Sequence, residues 1–180
     1  MRYPLNKQYP QTQGFNDPCC RGSYLKFGLM CHNGWDIGCP TGTAVLAPHD
    51  GIVRETGDEG TQGYGKYIKI ESDREGSVLA HLKEFKVSVD QTVKEGETVA
   101  YSDNTGNSSG SHLHWGFYRL PRNRQNGFAG FIDQADWLNS EIIAKPIAQY
   151  IQDNPDSNQI KVNLDQYGWL ERQAIIGKFG

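Results

Sequence analysis

From Gly34 to Tyr118 the chain is a succession of short apolar runs, each closed by a turn signal, and helix-favouring stretches are rare before residue 131. Residues 43–47 form a β-type run, Pro48-His49-Asp50-Gly51 a turn, and residues 52–55 the return strand. Lys66-Tyr67-Ile68-Lys69-Ile70 alternates polar and bulky apolar residues, as a half-buried strand does. Residues 77–82 read as one apolar strand, with further short strands at 87–93, 98–101 and 112–118, and a first one near 11–15. Glycine-rich loops separate them at 57–65 and 104–111. Strands this short and closely spaced predict a mainly β protein, an antiparallel sandwich or barrel-like core with an open groove.

The composition shifts after about residue 131. Residues 133–138 read as the start of a short helix, and 140–152 and 163–178 as further helical stretches, with Pro146 interrupting the first. The expected organisation is a β domain over residues 1–138 and a helical C-terminal extension over 139–180. At 180 residues the chain is long enough to bury a core, although its mean hydropathy of -0.65 is polar. The net charge of -3 argues against a nucleic-acid partner. No apolar run is long enough to span a bilayer, and residues 1–7 lack the apolar centre of a secretory signal. A monomer is expected, with 139–180 as a segment for docking into a larger assembly. Cys19, Cys20, Cys31 and Cys39 form an even set in a short stretch, which reads as two disulfides in an exported protein; a second metal site in a cytosolic one is the alternative, disfavoured by the lack of C-x-x-C spacing.

Of the five histidines, four fall in three clusters: His32-Asn33-Gly34-Trp35-Asp36, Ala80-His81-Leu82 and His112-Leu113-His114. Residues two apart on a strand share a face, so His112 and His114 project together while Leu113 points into the core. His32 and Asp36, four apart, share a face of an extended segment, and Asn33-Gly34 disfavours a helix there. Two imidazoles and a carboxylate are a common catalytic zinc set that leaves a position open for water. The ligands are then His32, Asp36 and His114, with His81 and His112 behind them for proton transfer. Spacing alone does not divide the work between His81 and His112.

Other residues are assigned more ordinary places. His49 sits in a turn with no partner pattern and is expected at the surface. Trp35 and Trp115, adjacent to ligand positions, face the opposite way and pack in the sheet. Tyr64, on a glycine-rich loop, is a candidate wall of the groove.

These clusters resemble the lysostaphin/LytM-type zinc peptidases, family M23, which act on peptidoglycan. His32-Asn33-Gly34-Trp35-Asp36-Ile37 is similar to the family's H-x-G-x-D element, Ala80-His81-Leu82 to its middle element, and Thr105 through His112-Leu113-His114 to its closing T-G…H-L-H. The resemblance covers residues 11–138. Leu79, Asp103 and Ser111 depart from the usual tyrosine, glycine and proline, and the cysteine cluster is atypical. It implies zinc held by His32, Asp36 and His114, one ion per chain, with His81 and His112 assisting catalysis. It further implies a substrate in the peptide cross-links of bacterial peptidoglycan, and action at the cell wall. A phage-borne lytic enzyme accounts for such a site without a leader peptide. Two rivals stand beside this expectation. A non-haem iron oxygenase uses the same residue types, though usually with its first pair one residue apart. A LytM-like binding module without catalysis keeps the fold and commonly loses ligands.

Overall fold

In the computed structural model residues 1–138 are described, apart from 19, 20 and 136. The helical expectations at 140–152 and 163–178 lie outside the described residues. Residues Arg2–Gln134 form one compact unit, and the site lies within it.

The strands are β1 (Gln11–Gln13), β2 (Trp35–Ile37), β3 (Ala44–Leu46), β4 (Gly51–Asp58), β5 (Lys66–Glu71), β6 (Glu75–Ala80), β7 (Leu82–Phe85), β8 (Thr92–Val93), β9 (Thr98–Ser102) and β10 (Leu113–Arg119). They build a seven-stranded sheet in the order β1-β2-β10-β6-β5-β4-β8 and a three-stranded sheet in the order β3-β9-β7. Every pairing is antiparallel. The chain is therefore mainly β, as the spacing of its apolar runs predicts. A short helix, α1 (Arg21–Leu25), lies between β1 and β2. Among the described residues no helix is long and apolar enough to cross a membrane.

The core follows from the two-residue period. Ile68 and Ile70 of β5, Leu79 of β6 and Leu113, Trp115 and Phe117 of β10 are fully buried. Burying each such side chain is worth about 1.5–3 kcal/mol. β10 lies between β2 and β6 and is buried on both faces, hence its nearly continuous apolar and aromatic run. The odd residues go to the core, which leaves His114, Gly116 and Tyr118 on the other face.

Two expected connections differ in the structure. The turn at 48–51 does not close a hairpin: β3 pairs with β9 in the small sheet, whereas β4 pairs with β5 and β8 in the large one. The expected strand at 77–82 is likewise two strands. β6 ends at Ala80 in the large sheet, and β7 begins at Leu82 in the small one. The break falls on His81, which has a φ of 59°. A non-glycine residue in this region costs on the order of 1–2 kcal/mol. Three hydrogen bonds hold it there: its N–H donates to Tyr64 O at 3.0 Å, its carbonyl accepts from Asp103 N at 2.8 Å, and its Nδ1 reaches Thr105 O at 2.7 Å.

The crossover at 48–51 also corrects the place of His49, which is buried, not at the surface. Its Nδ1 donates to Asp50 O at 2.9 Å and its Nε2 lies 3.0 Å from Ser77 Oγ, which accepts from Trp115 Nε1 at 3.3 Å. A turn that carries the chain from one sheet to another runs through the interior, and its polar groups must be satisfied there. The cysteine expectation is corrected as well. Cys31 and Cys39 are buried free thiols and behave as small apolar side chains. Cys19 and Cys20 lie outside the described residues.

His49→Ala strands the Ser77 hydroxyl in the core and should destabilise the fold by about 1–3 kcal/mol. Urea unfolding of the variant against the parent measures this. A surface histidine, by contrast, would leave the midpoint unmoved.

Candidate metal centre

The site is assembled by the pairing of β2 with β10. In their register His114 stands directly opposite Asp36, and Ala80 of β6 stands opposite His114 from the other side. His32 precedes β2 and returns to the same place. His32 Nε2 lies 3.1 Å from Asp36 Oδ1, His114 Nδ1 lies 2.9 Å from the same oxygen, and the two nitrogens are 3.0 Å apart. Two imidazole nitrogens and a carboxylate oxygen thus form a compact triangle in a largely buried place.

His81 and His112 stand beside it. Asp103 links them: its N–H donates to His81 O at 2.8 Å, and its carbonyl accepts from His112 N at 3.2 Å. Their rings lie 4.5 Å apart, and His112 Nε2 is 3.6 Å from Asp36 Oδ1. All five residues singled out in the sequence therefore meet in space. His32 and Asp36 do so from an extended segment, as Asn33-Gly34 predicts.

Backbone carbonyls set the ring orientations. His32 Nδ1 lies 2.8 Å from Gly14 O, His81 Nδ1 2.7 Å from Thr105 O, and His112 Nδ1 2.8 Å from Gly110 O. A carbonyl can only accept, so each Nδ1 carries hydrogen and each Nε2 is left for the site. His114 is reversed. Its Nδ1 faces Asp36, and its buried Nε2 has no partner.

Electrostatics sort the four imidazoles. Burial acts to raise the pKa of Asp36, but its interactions with His112, His114 and His32 outweigh it and hold the carboxyl well below its usual range. Burial pushes His81 down to about 3, helped by the charges of His114 and His112, so that ring is neutral. Burial also lowers His114 against the pull of Asp36. For His112 burial is outweighed by the Asp36 carboxylate, and its pKa is raised.

The donor set fits zinc. Tetrahedral zinc with N and O ligands at about 2.0–2.1 Å separates its ligand atoms by roughly 3.3 Å. The triangle needs to open by only a few tenths of an ångström. Three protein donors leave a fourth position free, as in catalytic zinc sites.

Some contributors carried no sequence signal. Asn33 donates to the Tyr64 hydroxyl at 2.7 Å, and the Tyr64 ring lies 5.3 Å from that of His114. Tyr64, singled out in the sequence as a candidate groove wall, is half-buried and adjoins the site, and desolvation lifts its hydroxyl pKa to about 12. Trp35 and Trp115 pack edge to face at 5.9 Å, away from the ligands as expected. The Gly14, Thr105 and Gly110 carbonyls act through the backbone, where residue type says nothing.

The profile of Peptidase family M23 matches residues 30–127. The chain is 38% identical over 118 residues to an uncharacterized metalloprotease of Haemophilus influenzae, covering 65% of this chain and 24% of that protein. It is 36% identical over 129 residues to the peptidoglycan DD-endopeptidase ShyB of Vibrio cholerae, covering 68% of this chain and 28% of the relative. The chain thus spans about a quarter of the length of these curated relatives. Among solved structures it is similar to a zinc-containing peptidase from Vibrio cholerae, with 28% identity, a TM-score of 0.58, and coverage of 73% of this chain and 38% of that one. The lysostaphin catalytic domain of Staphylococcus simulans shares the fold, with a TM-score of 0.55, 24% identity, and coverage of 76% and 90%.

Gly34 lets the triangle close. A Cβ there would lie 2.5 Å from Trp115 O and 2.8 Å from the His114 ring. Gly34→Ala should therefore cost about 1–3 kcal/mol in urea unfolding. Gly22→Ala, in α1 where a Cβ meets nothing within 4 Å, should cost nothing and gain up to about 1 kcal/mol of helix propensity. Equal behaviour of the two variants would contradict this placement of His114.

Proposed function

The chain belongs to peptidase family M23, and on that premise we propose that it is a zinc-dependent endopeptidase that hydrolyses peptide bonds in the cross-links of bacterial peptidoglycan. The observation that carries this reading is the triangle of His32 Nε2, Asp36 Oδ1 and His114 Nδ1 with two further imidazoles beside it. A binding module has no use for His81 and His112 placed in this way. The names of the relatives favour cross-link bonds between D-residues.

His32, Asp36 and His114 would hold the ion, the carboxylate offsetting part of its charge. Zinc bound there would supply a Lewis acid and lower the pKa of a bound water to about 7. His112 and His81 then handle protons. With Nδ1–H tied to backbone carbonyls, each turns its Nε2 toward the site, and His112, its pKa raised by Asp36, is the stronger base. One takes the proton from the attacking water as its oxygen bonds to the amide carbon. The proton is delivered to the amine nitrogen as the C–N bond breaks. Fixed imidazoles lose no orientation entropy at this step. The place of action is then the cell wall. The peptidase domain is assigned to residues 1–138, and 139–180 to an extension that docks it to the wall or to a larger, phage-borne assembly.

Elemental analysis of the purified chain should find one zinc per protein, and Asp36→Ala and His114→Ala should lose it. His81→Ala and His112→Ala should keep it yet release muropeptides about 10²-fold more slowly or worse, read by mass spectrometry of digested walls. Stoichiometric iron without zinc, or a parent protein inert on walls of several chemistries, would overturn the proposal.

A further inference from the structure

Between Tyr118 and Asn126 the sequence carries three arginines, Arg119, Arg122 and Arg124, in a chain of net charge -3. The proposed chemistry uses none of them. Arg122 is placed with care by its surroundings. On β10 the face that carries His114 continues through Gly116 to Tyr118, and β6 extends it through Ala80, Val78 and Gly76. The glycines make room for rings. A Cβ at Gly76 would lie 2.3 Å from Tyr118, and one at Gly116 would lie 2.6 Å from Phe131. The Tyr118 and Phe131 rings meet edge to face at 5.6 Å. The Arg122 guanidinium carbon sits 4.2 Å from the Tyr118 centroid and 4.3 Å from that of Phe131.

The arrangement is braced. Asn126 Oδ1 accepts from Phe128 N at 3.0 Å and Gly130 N at 2.9 Å, and Asn126 Nδ2 donates to Phe131 O at 2.7 Å. Gly130 has a φ of 89°, and a Cβ there would lie 2.4 Å from Arg122 Cγ. The loop is therefore shaped around the arginine stem.

Two aromatic faces attract a guanidinium, but they satisfy none of its in-plane N–H donors. Glu71, the carboxylate bonded to Tyr118, is engaged elsewhere: it accepts from the Tyr118 hydroxyl at 2.6 Å and lies 3.8 Å from Arg54 Nε. Arg122 Nε is buried without a partner. Among the described residues neither Arg122 nor Arg124 has a hydrogen bond or ion pair. A planar fork of donors, held rigid and left unpaired, matches the bidentate geometry of a carboxylate.

The place relative to the metal centre gives the ligand its identity. Tyr64 packs against the cluster of Val78, Ala80, Tyr118 and Phe131, and its ring lies 5.3 Å from that of His114. A buried apolar layer thus connects the surroundings of the candidate metal centre to the guanidinium, with His114 and Tyr118 about 13 Å apart along β10 at roughly 3.3 Å per residue. We propose that Arg122, half-exposed above Tyr118 and Phe131, is a specificity-determining anchor that binds a free carboxylate of the peptide substrate, so that the protein selects acidic stem peptides over amidated ones. The inference rests on the peptidase reading for its substrate, and on Tyr118, Phe131 and Arg122 for its chemistry. Arg124, exposed on the same loop, adds positive field without the aromatic seat.

The test is calorimetric binding to the full chain of an acidic stem peptide and of the same peptide with its free carboxylates amidated. The parent should bind the acidic form about tenfold more tightly, the scale of a charge-assisted bidentate pair. In Arg122→Gln the ratio should fall to about one, and Arg122→Lys, which keeps the charge and loses the fork, should lie between. A ratio taken within one variant is insensitive to loss of folded protein. Equal binding of the two peptides by the parent, or an unchanged ratio in Arg122→Gln, overturns the anchor. Binding needs no cleavage. A protein that keeps the ratio but cuts no wall therefore retains the anchor and loses the hydrolase reading. One that digests walls at a ratio of one loses the anchor alone.

Discussion

The pairing of Asp36 with His114 across β2 and β10 is the constraint on which the site depends. A slip of one residue in this register would turn His114 into the core and bring an apolar side chain to the ligand position. Burial of Leu113, Trp115 and Phe117 on the opposite face prevents that slip. The energy that fixes the candidate metal centre is thus ordinary hydrophobic burial, and the polar cluster rides on it. Three donor atoms converging within about 3 Å are themselves unfavourable unless protons or a cation sit among them.

The second constraint is the point where the chain leaves one sheet for the other. His81 occupies it with a strained backbone, and the bonds that tolerate the strain come from the loops at 64 and 103–105. The same loops bound the site. The left-handed backbone at His81 turns the chain between Ala80, opposite His114, and β7 of the small sheet, which brings the imidazole close to His112. Local strain and the proposed catalytic role coincide here, as is common at functional sites.

Much of this was legible in the sequence. The two-residue period placed His112 and His114 together, and Asn33-Gly34 correctly forbade a helix between His32 and Asp36. What periodicity does not encode is sheet membership. Residues 77–82 read as one strand because the apolar run continues past His81, and a single histidine is only a weak sign of a positive φ. Residues 48–51 read as a hairpin because a turn between sheets uses the same Pro, Asp and Gly as a turn within one. His49 was misplaced for that reason. The cysteine spacing suggested bridges, yet Cys31 and Cys39 lie in a core where a thiol is simply another small apolar group. The carbonyls that orient the imidazoles were invisible, since any residue supplies one.

The central claim is that His32, Asp36 and His114 hold zinc through nitrogen and oxygen alone. X-ray absorption at the zinc edge of the purified protein measures this directly. The account predicts a first shell of N and O scatterers at about 2.0–2.1 Å, with the outer-shell signature of two imidazoles. A sulfur shell at about 2.3 Å, which only the cysteines or methionines could supply, would contradict it.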